Sequence, residues 1–224
     1  MLPAWVKPIV VEYPPHGGND YLDLLNVVSH AVRDAGEYWV LGWSFSGPLA
    51  LMLAAREPRR IRGVILCASF VRPPRPNLAW CRFAAVGPVI WLIRAARRLP
   101  IFLSTDRESD IRRDKAETWA RVSAWTLAAR VRAVLRVDAR DMLRQCEAPI
   151  VYLASSRDAI VSRWNADEIA LLLPSSRRIT IDGPHMALYT DPRAAADAIC
   201  RVLEADASCG CEPTVTPLLA ARRV

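Results

Sequence analysis

The chain has 224 residues, 52% of them hydrophobic and 24% charged, which allows a sizeable core in one domain, or one domain with a small insertion, and argues against intrinsic disorder. Thirty basic against 23 acidic residues give a formal charge of +7, but every basic residue except Lys7 and Lys115 is arginine, in a chain rich in Ala and Pro. No aromatic-interleaved basic stripe or nucleic-acid motif accompanies the charge, so it reads as coding bias and no nucleic-acid partner is expected.

The N-terminal stretch MLPAWVKPIVVEYPP lacks the apolar core and small-residue cleavage site of a secretory signal. The longest apolar stretch, FAAVGPVIWLI from Phe83 to Ile93, is too short to cross a bilayer as a helix. No transmembrane segment is expected, and the implied location is cytoplasmic.

In chain order, the β-branched run KPIVVEY (Lys7 to Tyr13) reads as a strand, PPHGGN as a turn, and DYLDLLNVVSHAVRDAG as an amphipathic helix stopping at Gly36. YWVLG is a buried strand, SGPLALMLAAREP a helix ending near Pro58, and IRGVILCASF a further strand. This alternation predicts a mostly parallel sheet covered on both faces by helices, an α/β fold. The rhythm breaks at RPPRP (Arg72 to Pro76), and helical patterns then run to about Met142. It resumes with the strand APIVYLASSRD, the helix WNADEIALLL, the strand SRRITIDGPH and the helix PRAAADAICRVLEAD. The expected organisation is a core over 1–71 and 143–206, a helical insertion over 72–142, and a disordered tail over 207–224.

The six cysteines lack the paired spacing of a zinc site. Cys67, Cys81, Cys146 and Cys200 read as buried small hydrophobes. Cys209 and Cys211 form a CGC in the tail, where a frayed terminus is the simpler reading and a metal or redox role the alternative.

The stretch LGWSFSGP (Leu41 to Pro48) sits where a strand turns sharply into a helix. Such a turn strains the backbone of Ser44 and demands small side chains two residues on either side, which Gly42 and Ser46 supply. Ser46 replaces the usual second glycine, and it is a poor nucleophile itself, being flanked by Ser44 and Pro48. Pro48 suits the first turn of a helix, where its missing N–H costs nothing. A serine hydroxyl needs a base oriented by a carboxylate. Of the three histidines, His16 follows the first strand, His30 lies inside the amphipathic helix, and His185 follows the last core strand in DGPHMALYTDP.

With GWSFSGPLAL and GPHMALYTDP, the sequence resembles the α/β-hydrolase family from roughly Pro8 to Ala205. The family's chain order is serine, then acid after a late strand, then histidine, and Ser44, Asp158 in LASSRDAIV and His185 fall in that order. Asp182 is a rival acid, but a triad acid comes from a separate strand end, which favours Asp158. The resemblance implies attack by Ser44 on an acyl carbon, proton transfer through His185, and no metal or organic cofactor. It also implies that the Phe45 backbone N–H is one oxyanion donor. Within the insertion, Trp80, Phe83, Trp91, Phe102, Trp119 and Trp125 would belong to a lid, or pack it on the sheet, which favours a small hydrophobic ester or thioester as substrate.

The sequence departs from the family at its start. The family's second oxyanion donor comes from a loop after its third strand, whereas here the strand before YWVLG resembles the fourth. The motif His16-Gly17-Gly18 follows the wrong strand and reads as a turn, with recruitment as a substitute oxyanion loop the alternative. The third strand normally lies between the fourth and the strand leading into the nucleophile turn. Its absence would force the strand around Ile9 to Glu12 to slide beside YWVL or leave an open edge in mid-sheet. Two expectations follow: an active serine hydrolase, or a truncated, non-catalytic relative that binds a ligand or partner. On the second, Met1 is a misplaced start or the gene product is shortened, and the chain is less stable and slower than one extended upstream.

Overall fold

The structure, a computed structural model, describes residues 2–96, 121–207 and 216–222. Among the described residues, six strands form one sheet: β1 (Val6–Glu12), β2 (Tyr38–Trp43), β3 (Ile61–Cys67), β4 (Ile150–Arg157), β5 (Arg177–Pro184) and β6 (Thr216–Arg222). Their order is β1-β6-β2-β3-β4-β5, and every pairing is parallel. This is the mostly parallel, helix-covered sheet expected from the alternation of elements.

Successive side chains of a strand face opposite ways, and the core divides accordingly. From β2, Tyr38 and Val40 enter one apolar cluster, Trp39 and Leu41 the other. Helices α1 (Tyr21–Ala31) and α2 (Ser46–Arg56) cover the first face, and the helix Pro192–Ala207 supplies Ala195, Ile199 and Val202 to the second. Helix α1 starts on a capping box, with Asp20 accepting from the Leu22 and Asp23 amides while the Asp23 carboxylate accepts from the Asp20 amide.

The expected disordered tail is corrected over Thr216–Arg222, which forms β6. It pairs with β1 along seven positions, from Val6 opposite Thr216 to Glu12 opposite Arg222, and with β2 at Trp39, Val40 and Leu41. Neither expected fate of the first strand therefore occurs: β1 does not slide beside β2, and no open edge is left there. The physical reason lies in PLLAA, a run with no polar face. Such a run suits a strand buried on both sides, and Leu218 and Leu219, each 2% exposed, enter opposite clusters. Cys209 and Cys211 lie outside the described residues.

Between β3 and β4 the described elements are helical: a 3-10 helix (Pro76–Phe83), α3 (Gly87–Ala96), α4 (Ala124–Arg136) and the short α5 (Arg140–Gln145). Trp80, Phe83, Trp91 and Trp125 are all exposed, because the buried positions of α3 and α4 are filled by other residues such as Ile90, Ala128 and Ala133. Phe102 and Trp119 lie outside the described residues. Among those described, no single helix is long and apolar enough to cross a membrane; the 3-10 helix and α3 pass that test only jointly, across a 114° bend. The cysteine expectation holds for Cys67, which is buried, but Cys81, Cys146 and Cys200 are half-buried because each lies at an element end or on a partly solvated helix face.

Candidate active site

The site grows from three strand ends. After β2, the chain reverses through Ser44, whose φ of +52° lies in the left-handed region that non-glycine residues rarely occupy. The neighbouring strand pins this turn: the Ser44 amide donates to the Cys67 carbonyl at 2.8 Å, and the Ser44 carbonyl accepts from the Gly47 amide at 3.1 Å. Gly42 is required by space, since a Cβ there would stand 2.6 Å from the Ser46 carbonyl oxygen and 2.7 Å from the Gly47 Cα. Ser46 is buried and accepts a hydrogen bond from the Tyr13 hydroxyl at 2.8 Å. Burial pushes the Tyr13 hydroxyl up to about 12, so it stays protonated at neutral pH and remains a donor.

After β4 comes Asp158. Its Oδ1 accepts from the Ile160 and Val161 amides, each at 2.8 Å, which leaves Oδ2 aimed at His185. After β5 comes His185, with Nδ1 2.7 Å from Asp158 Oδ2 and Nε2 2.9 Å from Ser44 Oγ. Ser44 and His185 are buried, and the Asp158 side chain is only 6% exposed. The structure thus brings together Ser44, Asp158 and His185 from three separate strand ends.

Asp182 is elsewhere. It accepts from Ser156 Oγ at 2.5 Å and pairs with Arg157 at 3.2 Å, with its side chain 81% exposed. His16 and His30 are both exposed. The His16-Gly17-Gly18 loop is tied to the insertion, with the Gly17 carbonyl accepting from Thr126 Oγ1 at 3.3 Å, and it follows β1, which β6 separates from β2. Phe45 stands at the N-terminal end of α2, where backbone N–H groups have no carbonyl one turn back. Its ring stacks on Tyr21 at 4.9 Å, and its carbonyl accepts from the Tyr21 hydroxyl at 3.0 Å.

Several contacts of the site carry no signal in the sequence. Trp43 donates its indole N–H to the His185 carbonyl at 3.4 Å, tying the histidine loop to the serine turn. Tyr13 reaches Ser46 from the end of β1, 33 positions away in sequence, and no motif announces such a pair. Among the described residues, no group of three His, Cys, Asp or Glu side chains converges as metal ligands. A groove of about 510 Å³ opens between α1 and α4, lined by Tyr21, Met52, Ala133 and Val137 among others; Ser44 and His185 do not line it.

Comparisons with known proteins bear on the family and the fold. Residues 8–198 match the model of the alpha/beta hydrolase family. The chain is 26% identical over 195 residues to the pimeloyl-[acyl-carrier protein] methyl ester esterase of Neisseria meningitidis serogroup B, covering 81% of this chain and 76% of that protein. It is 24% identical over 221 residues to the 2-succinyl-6-hydroxy-2,4-cyclohexadiene-1-carboxylate synthase of Klebsiella pneumoniae, covering 90% and 84%. Among solved structures, the enol-lactonase of Burkholderia xenovorans superimposes with a TM-score of 0.68 at 20% identity, over 85% of this chain and 75% of that one. With a family model matched along most of its length and the fold of that family, this chain belongs to the alpha/beta hydrolases.

Proposed function

We propose that the chain is a serine hydrolase that cleaves a carboxylic ester or thioester with a hydrophobic acyl or alcohol group. The observation that carries this reading is the buried relay of Ser44 Oγ, His185 Nε2, His185 Nδ1 and Asp158 Oδ2, with links of 2.9 and 2.7 Å. In it, Ser44 Oγ attacks the acyl carbon while His185 Nε2 accepts the hydroxyl proton. The same nitrogen then passes the proton to the departing alcohol or thiol. Water hydrolyses the acyl-enzyme by the reverse use of His185. Asp158 accepts the Nδ1–H, fixing the tautomer and offsetting the imidazolium charge. The two amides on its Oδ1 keep Oδ2 aimed at the ring.

The Phe45 N–H, at the start of α2, is the first donor to the developing oxyanion. One donor of this kind is worth roughly 10²–10³ in rate. The substrate class is supported by the relative named as a methyl ester esterase, and a methyl ester is small enough on its alcohol side for a buried serine. The test is covalent: a fluorophosphonate probe should label Ser44, and Ser44→Ala should abolish both labelling and turnover of a short-chain nitrophenyl ester. Labelling that persists in Ser44→Ala, or that maps to Ser46, would reject the assignment. A folded protein that binds an acyl ester without releasing product would favour the non-catalytic alternative.

A further inference from the structure

Ser69 lies two residues beyond β3 and is fully buried. Its hydroxyl donates to the Ser44 carbonyl at 2.7 Å, so the carbonyl of the strained residue is held from two sides, by Gly47 N and by Ser69 Oγ. Ser69 is itself fixed through both backbone groups. Its amide donates to the Tyr152 hydroxyl at 3.1 Å, and that hydroxyl donates to the Ser69 carbonyl at 2.9 Å. Burial raises the Tyr152 pKa, so the hydroxyl keeps its proton and can serve both bonds at neutral pH. The room for Ser69 comes from Gly47, where a Cβ would lie 1.7 Å from Ser69 Oγ. This explains the glycine directly behind Ser46, whose purpose the serine-turn pattern leaves open.

We infer that Ser69 is a positioning residue for Ser44, clamping its left-handed backbone so that Oγ stays aligned with His185, and that Tyr152 acts through Ser69. This rests on the proposed role of Ser44 as nucleophile. A left-handed non-glycine residue persists only when its surroundings over-determine it. Four hydrogen bonds do so here: Ser44 N to Cys67, Gly47 N and Ser69 Oγ to the Ser44 carbonyl, and Ser44 Oγ to His185. Of these four, the Ser69 bond is the one that a side-chain substitution removes while leaving the reacting atoms in place. Ser69 touches no solvent and so no substrate, which means its loss should act on the chemical step and not on binding.

The experiment compares Ser69→Ala, Tyr152→Phe and the double variant in the full chain. Three readouts are taken: the rate of fluorophosphonate labelling, kcat and KM for a nitrophenyl ester, and hydrogen exchange at the Ser44 and Gly47 amides. Ser69→Ala should slow labelling and kcat by about tenfold, as expected for losing one buried hydrogen bond that orients the nucleophile, with KM unchanged. Exchange at both amides should speed up. The double variant should label no more slowly than the slower single variant, because Tyr152 acts through Ser69. A wild-type labelling rate with unchanged amide exchange in Ser69→Ala would overturn the inference, and losses that multiply in the double variant would overturn the role of Tyr152. Should the unsubstituted protein fail to label at Ser44, the nucleophile reading fails on its own, while amide exchange in Tyr152→Phe and Ser69→Ala still decides whether the clamp exists.

Discussion

From β2 toward β5, the strands stand in the sheet in the order in which the chain makes them, and three of their four ends deliver a residue of the site: Ser44 after β2, Asp158 after β4, His185 after β5. On the other side of β2 the order breaks, because β1 precedes β2 in the chain yet is separated from it by β6, drawn from the opposite end of the sequence. The two regions hold the serine turn by different means. Toward β3 it is gripped by hydrogen bonds to the Cys67 carbonyl and from the Ser69 hydroxyl. Toward β1 the grip is mainly packing, from Leu219 beside Tyr13, Ser46 and Ala50 around a small apolar cavity, with the Tyr13–Ser46 bond crossing over. The candidate site residues are thus placed by local turns on one side, while the continuity of the sheet on the other depends on a distant segment.

The comparison breaks most sharply at the acid. Asp158→Asn should lower kcat by about 10⁴, because the amide favours the wrong imidazole tautomer, whereas Asp182→Asn should leave kcat within about twofold. Steady-state ester hydrolysis by the two variants checks this, and equal losses would leave the acid unassigned. The opposite side should fail through stability instead. Leu219→Asp would place a carboxylate in the apolar cluster beneath α1 and α2 and cost about 4 kcal/mol or more, read as a collapsed thermal midpoint, while Val10→Asp, at an exposed position of the neighbouring β1, should cost no more than about 1 kcal/mol. Equal tolerance of both would show that β6 does not occupy the sheet in solution.

Smaller effects sharpen the picture at the junction of the two regions. Gly47→Ala should cost about 1–3 kcal/mol by forcing its Cβ against Ser69, and it should slow labelling of Ser44 as well. A urea titration alongside the labelling rate separates the two losses. Smallest of all, Tyr13→Phe removes the side-chain hydrogen bond from the β1 end to Ser46, and should cost about 1 kcal/mol with labelling changed only a few-fold. A larger kinetic loss there would mean that the β1 side also sets the geometry of the nucleophile.

Much of the site was legible because its parts are local. The small residues around Ser44, the histidine after the last core strand, and an acid after the strand before it are each fixed by a turn of a few residues. The choice of Asp158 over Asp182 followed from which strand end carries the acid, and the structure places Asp158 on the ring while Asp182 faces Ser156 and Arg157. The contacts that tie these parts together were not legible. Ser69 meets Ser44 from 25 positions away and Tyr152 meets Ser69 from 83, through single hydroxyls that no periodicity encodes. The exposure of Trp80, Phe83, Trp91 and Trp125 was equally hidden, since composition reports how apolar a helix is and not which of its side chains finds a partner.

The sequence by itself determined the alternation of strand and helix, the parallel sense of the sheet, and the identity and chain order of the residues at its carboxyl ends, because hydrophobic period and turn chemistry act over a few residues. Only the tertiary structure decided what lies between β1 and β2. The run PLLAA has no polar face to betray a location, and a frayed tail and a fully buried strand look alike until neighbours exist for both faces. Those neighbours are Ile9, Val40 and the two apolar clusters that Leu218 and Leu219 join, and burying them there satisfies backbone groups that would otherwise face each other across a gap.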